Sequence, residues 1–145
     1  MGIVDRLHRD FMIATRTLPD TLDAIGELRN FTKIELPTDY VEFKLELAET
    51  EIKVRDDMYI RFWDAQGCIE LNGAYNIQKY LSPETLAIGD DEGGGALVFM
   101  TGDEGFGIYH VHFSYLCMSD AVKVASSVSE LLLDGVGIDV LLKRY

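Results

Sequence analysis

With 145 residues, 48% of them hydrophobic and 26% charged, the chain is long enough for one domain with its own core and too apolar to be disordered. It carries 13 Lys and Arg against 25 Asp and Glu, a net charge of −12 that repels phosphate backbones and attracts cationic partners. No apolar run reaches the ~18 residues of a membrane span, so the chain is expected to bind neither nucleic acid nor membrane.

The N-terminal residues 3–13 place Ile3, Leu7 and Phe11 at i, i+4 and i+8, the spacing of a short amphipathic helix, while Ile13 to Thr17 reads equally well as extended chain. Charges at Asp5, Arg6, Arg9 and Asp10 break any continuous apolar core of a signal peptide. Arg6, standing where Ser or Thr is required, argues against myristoylation at Gly2. Residues 1–19 are therefore set apart as an N-terminal extension, and residues 20–145 as a single domain. Cys68 and Cys117 lie far apart with no Cys-x-x-Cys or Cys/His spacing, which points to reduced thiols in a cytoplasmic protein.

Pro19-Asp20 marks a boundary before a helix over residues 21–31, with Asp20 or Thr21 as its cap and Leu22, Ile25 and Leu28 as its apolar side. Leu36-Pro37-Thr38-Asp39-Tyr40 opens a second helix running to Ala48. Proline suits the first turn, where its missing N–H is unpaired anyway, and Asp39 with Glu42 has the spacing of a capping box. From 51 to 63 the period changes: Tyr59, Arg61 and Trp63 alternate with Met58, Ile60 and Phe62, as in a strand. Short helices are expected over 64–72 and 76–81, the latter stopped by Ser82-Pro83.

Residues 86–111 read as three strands joined by two glycine-rich turns, with Ala96–Thr101 apolar on both faces, as a central strand must be. On the next strand His110 and His112 share one face, opposite Tyr109, Val111 and Phe113. A helix over 121–133 is expected from Ala121, Val124, Ala125, Val128, Leu131 and Leu132, capped by Ser119 or Asp120 and ended by Gly135; residues 137–145 add a last short helix. Strands grouped centrally between helices define an α+β domain, a mostly antiparallel sheet with helices packed on it.

Chemistry is sparse. His110 and His112 have a metal-compatible spacing but lack a third ligand, so ordinary histidines on a solvent-facing strand edge are favoured over a metal-dependent enzyme. Asp90-Asp91-Glu92 does not follow the alternating pattern of a calcium loop. The glycines at 93–95, 102, 105 and 107 lie between strands with no Lys after them, so no phosphate loop is met, and no nucleophile elbow occurs. No cofactor, metal or catalytic residue is assigned. From Tyr80 to Val122 there is no Lys or Arg, while Glu84, Asp90, Asp91, Glu92, Asp103, Glu104 and Asp120 all fall there. The candidate partner-binding residues are accordingly Asp90, Asp91, Glu92, Asp103 and Glu104 on the hairpin turns.

In order along the chain come Leu36-Pro37-x-Asp39-Tyr40, Trp63, Glu70-Leu71-Asn72, Ile88-Gly89-Asp90-Asp91 with Gly93-Gly94, and Gly107-Ile108-Tyr109. This series resembles the SUKH superfamily, built around the yeast cell-wall-synthesis regulator and many bacterial immunity proteins. The resemblance spans about residues 21–134 and departs from the family pattern between Leu45 and Met58, where an Asn-Gly turn is common. It implies a non-catalytic protein that binds a cognate toxin, often a nuclease. A regulatory or scaffolding module of the same fold is the alternative. Gly89, Gly93 and Gly94 are assigned to backbone geometry rather than to contact.

Overall fold

A computed structural model describes residues 2–15, 17–56 and 58–143. Arg16, within the stretch read as extended, Asp57, within 51–63, and Arg144 and Tyr145, at the end of the last expected helix, lie outside the described residues.

Alternation of apolar residues generates most of the sheet. The strands are β1 (Phe11–Thr15), β2 (Thr50–Val54), β3 (Met58–Phe62), β4 (Leu86–Asp90), β5 (Gly95–Gly102), β6 (Gly105–His112) and β7 (Val122–Ala125). Their spatial order is their chain order, and every neighbouring pair is antiparallel. In β3, Met58, Ile60 and Phe62 are buried while Tyr59 is exposed, the period-2 signature of a half-covered strand. In β5, by contrast, every residue from Gly95 to Met100 is buried, as its two apolar faces require. Burying a side chain such as Phe99 contributes on the order of 1.5–3 kcal/mol.

The helices are α1 (Leu22–Phe31), α2 (Thr38–Lys44), α3 (Ala65–Ala74), α4 (Ile77–Tyr80), α5 (Val128–Leu132) and α6 (Ile138–Lys143). Thr21 caps α1 by accepting from the Ala24 N–H, which frees Asp20 to accept from the N–H of Ala65 in the first turn of α3. Asp64 caps α3 through the Gly67 N–H. Tyr40 and Phe43 of α2 meet Phe99 and Phe62 edge-on, with ring centroids 5.3 and 5.4 Å apart, and so lock α2 onto the sheet. Sheet and helices share a single core, the α+β architecture expected.

Four local expectations are corrected. Residues 3–13 form a 3-10 turn at Val4–Arg6 and then enter β1, so the N-terminal segment supplies an edge strand of the sheet. Pairing with β2 outweighs the helical spacing of Ile3, Leu7 and Phe11. The helix α2 stops at Lys44, and its N-cap is Pro37 without a side-chain cap; Asp39 instead accepts from the Ser129 N–H and secures the start of α5. The expected helix over 121–133 is split into β7 and α5. Val122 and Val124 suit a strand as well as a helix, and Ser127 starts the helix anew by accepting from the Glu130 N–H. Ser119 and Asp120 lie in a 3-10 turn before β7 and cap nothing. Because β7 pairs with β6, His110 does not sit on an edge strand: it is buried.

Candidate partner-binding site

The two acidic turns are at opposite ends of one strand. β5 has eight residues, so at ~3.3 Å per residue Asp90, Asp91 and Glu92 are separated from Asp103 and Glu104 by about 23 Å. The five candidate residues therefore do not make one patch.

At the far end, Asp103 and Glu104 are exposed on a tight turn. Tyr109 holds that turn, its hydroxyl donating to Gly105 O at 2.6 Å and accepting from the Glu104 N–H at 3.1 Å. A shallow cleft of about 380 Å³ lies nearby, lined by Lys33, Ile34, Glu35, Glu84, Thr101 and Phe106.

At the near end each acidic residue has a different position. Asp91 points inward: its carboxylate accepts from the N–H groups of Gly93 and Gly95 at 2.9 Å and lies 2.8 Å from His110 Nε2. Burial pushes its pKa up, but the hydrogen bonds from His110, Gly95 and Gly93 outweigh it and hold the carboxyl at about 2. Only 7% exposed, Asp91 braces the turn from within and offers little to a partner. Gly95 allows the pair to form, because a Cβ there would lie 2.0 Å from His110 Nε2. Gly94 has φ +112°, a backbone conformation that L side chains rarely adopt, whereas Gly89 lies where a Cβ would meet Arg61 O at 2.1 Å. Gly89 thus lets β3 and β4 approach.

Asp90 is half-buried and receives the Trp63 indole N–H at 2.8 Å. Glu92 turns toward Arg61, which also meets Glu49 and Glu51: the guanidinium lies 2.8, 3.2 and 3.5 Å from Glu49, Glu51 and Glu92. Register produces this cluster, since Glu51 pairs with Arg61 across β2–β3 and Arg61 with Asp90 across β3–β4. One cation thus faces three carboxylates, with Asp90 alongside. Burial, then the hydrogen bond and charge of Glu51, push the Glu92 carboxyl up to about 7, and the bond from Glu92 lowers that of Glu51. The two carboxyls are thus pushed in opposite directions, Glu92 up and Glu51 down. Glu49, Glu51 and Arg61 escape sequence inspection because they lie up to 43 positions before Glu92. The strand alternation of Glu51 and Arg61 was the available signal.

Behind the cluster, Phe113 donates its backbone N–H to Gly94 O, and its ring contacts Trp63 and Tyr75 at centroid distances of 6.4 and 4.3 Å. Lys44 is buried against the same region, donating to the carbonyls of Ala48 and Trp63, and burial lowers its pKa to about 8. Burial pushes the Cys68 thiol up to about 11; both cysteines are free. Among the described residues no group of three or more His, Cys, Asp and Glu is placed to hold a metal ion, and no helix is long and apolar enough to cross a membrane.

A meandering antiparallel sheet backed by helices describes a small α+β domain of the SUKH type, commonly a protein-binding module. The SMI1 / KNR4 family (SUKH-1) matches residues 19–134, and the chain belongs to that family. Among curated proteins, none matches the chain.

Proposed function

We propose that this protein is a non-enzymatic, cytoplasmic immunity-type protein that binds a basic toxin domain, a nuclease being the best fit, and neutralises it by covering its cleft. The observation that carries the reading is the cluster of Glu49, Glu51, Asp90 and Glu92 around the lone Arg61. A nuclease cleft built to hold phosphates is electropositive, and excess carboxylates in a fixed array would both steer it and occupy it. Net charge of −12 adds to the long-range attraction.

Affinity capture at low salt from cells that encode the protein tests this. The expected result is a basic protein with nuclease activity, inhibited stoichiometrically by this chain. The triple variant Glu49→Gln/Glu51→Gln/Glu92→Gln should slow association roughly 10-fold at low salt and much less at high salt. Recovery of housekeeping proteins without a toxic activity would instead favour a regulatory module of the same fold.

A further inference from the structure

A groove formed by Tyr75, Tyr80, Phe113, Ser114 and Leu116 encloses about 260 Å³ beside the acidic cluster. We propose that this groove is an anchor for an arginine side chain of the protein partner, seated while neighbouring basic groups engage the carboxylates. The proposal rests on the binding-protein reading and names what the partner must bring.

Tyr75 and Tyr80 are 44% and 55% exposed, so large ring faces that a core would normally take up remain open. The rings are already layered: Tyr75 lies over Phe113 at an interplanar angle of 32°, and Phe113 over Trp63 at 24°. A planar guanidinium extends such a stack, whereas a compact ammonium or a branched alkyl group does not. Lys79 Nζ stands 5.6 Å from the centroid of Tyr80, so this wall already accepts a cation within the molecule.

Charge selects the occupant further. Phe113 donates its backbone N–H to Gly94 O in the acidic turn and stacks on Trp63, whose indole N–H reaches Asp90, so the groove neighbours the carboxylates. Apart from Lys79 at Tyr80, the groove's segment is free of competing cations: from residue 80 to 122 the chain has no Lys or Arg. Aromatic faces also stack nucleic-acid bases, but a strand laid here would carry its phosphates past Asp90 and Glu92. Aromatic anchors beside charge pairs are where interface energy concentrates.

Titration of the ¹⁵N-labelled full chain followed by NMR tests the proposal. The probes are a short Gly/Ser peptide bearing one arginine, its lysine, leucine and glutamate counterparts, and a hexathymidylate. The arginine peptide should move the amides of Tyr75, Tyr80, Phe113 and Ser114. Tyr75→Ala and Tyr80→Ala should each weaken it about 5-fold, with the amide spectrum of each variant showing that the fold is kept. Shifts confined to other residues, equal binding of the leucine peptide, or hexathymidylate shifting the same amides would each overturn it. The titration uses no toxin, so the two readings fail separately. If, in a captured complex, the glutamate variants slow association while Tyr75→Ala and Tyr80→Ala do nothing, the anchor is wrong and the acidic surface stands. Arginine binding in the groove with no toxin captured refutes the immunity reading alone.

Discussion

Removing the buried carboxylate of Asp91 should cost far more than removing any exposed acid, although it lies in the same turn. Asp91 accepts from two backbone N–H groups and meets His110 Nε2 at 2.8 Å. Asp91→Ala leaves those groups without their acceptor in a buried site, and the expected loss is about 3 kcal/mol. Asp91→Asn keeps an oxygen for Gly93 and Gly95 but sets an amide against His110, so about half that loss is expected. A pH arm isolates the charge. The folded carboxyl titrates at about 2 against 3.8 for the ordinary group, so its contribution is complete above 3.8 and is lost as pH falls through 2. At ~1.4 kcal/mol per pH unit, that is about 2 kcal/mol lost between pH 4 and 2 in the parent and absent in Asp91→Asn. Urea denaturation of both variants, of His110→Gln and of the double variants gives the stabilities and the coupling energy, expected at 1–3 kcal/mol. If Asp91→Ala costs less than about 0.5 kcal/mol, or Asp91 and His110 prove additive, the bracing role assigned to the pair is wrong.

Other expectations are simpler. Glu92 is raised from 4.5 to about 7 in the fold, so it favours the folded state below 4.5 and this contribution is lost as pH rises through 7; Glu92→Gln should flatten the thermal midpoint between pH 5 and 8. Asp39→Ala removes the acceptor for Ser129 N–H at the start of α5 and should cost about 1 kcal/mol in chemical denaturation. Gly89→Ala places a Cβ 2.1 Å from Arg61 O and should destabilise by more than about 2 kcal/mol, whereas Gly73→Ala, with open space around it, should be neutral or stabilising.

What the sequence revealed, and what it hid, follows from the reach of each signal. β5 was legible because both faces of Ala96–Thr101 are apolar; α3 was expected over 64–72 and runs from Ala65 to Ala74, with Asp64 as a cap that the sequence reading did not single out. The hairpin turns were legible from their glycines. β7 was not: Ala121, Val124, Ala125 and Val128 satisfy a helical stripe, and only the double serine at 126–127 marks the break. That one misreading left β6 at an edge and made His110 look exposed. The site failed differently. Asp91 and Asp103 are near in sequence yet separated by the whole of β5, while Glu51 and Glu92 are distant in sequence yet meet the same guanidinium. Hairpins turn sequence proximity into spatial separation, and cross-strand register does the reverse.

The pairing of β3 with β4 is short, Arg61↔Asp90 and Phe62↔Gly89, extended by one bond from the Trp63 N–H to Ile88 O. Above it Asn72 replaces a strand, its amide bonding both the N–H and the carbonyl of Ala87. The sheet is therefore two ribbons, β1–β3 and β4–β7, stitched along a short seam, and amide exchange in this molecule should proceed by parting that seam before either ribbon melts. Glu49, Glu51 and Arg61 belong to one ribbon, Asp90 and Glu92 to the other. Whatever settles on the carboxylates bridges both, and so acts as a clasp that slows hydrogen exchange in strands it never touches.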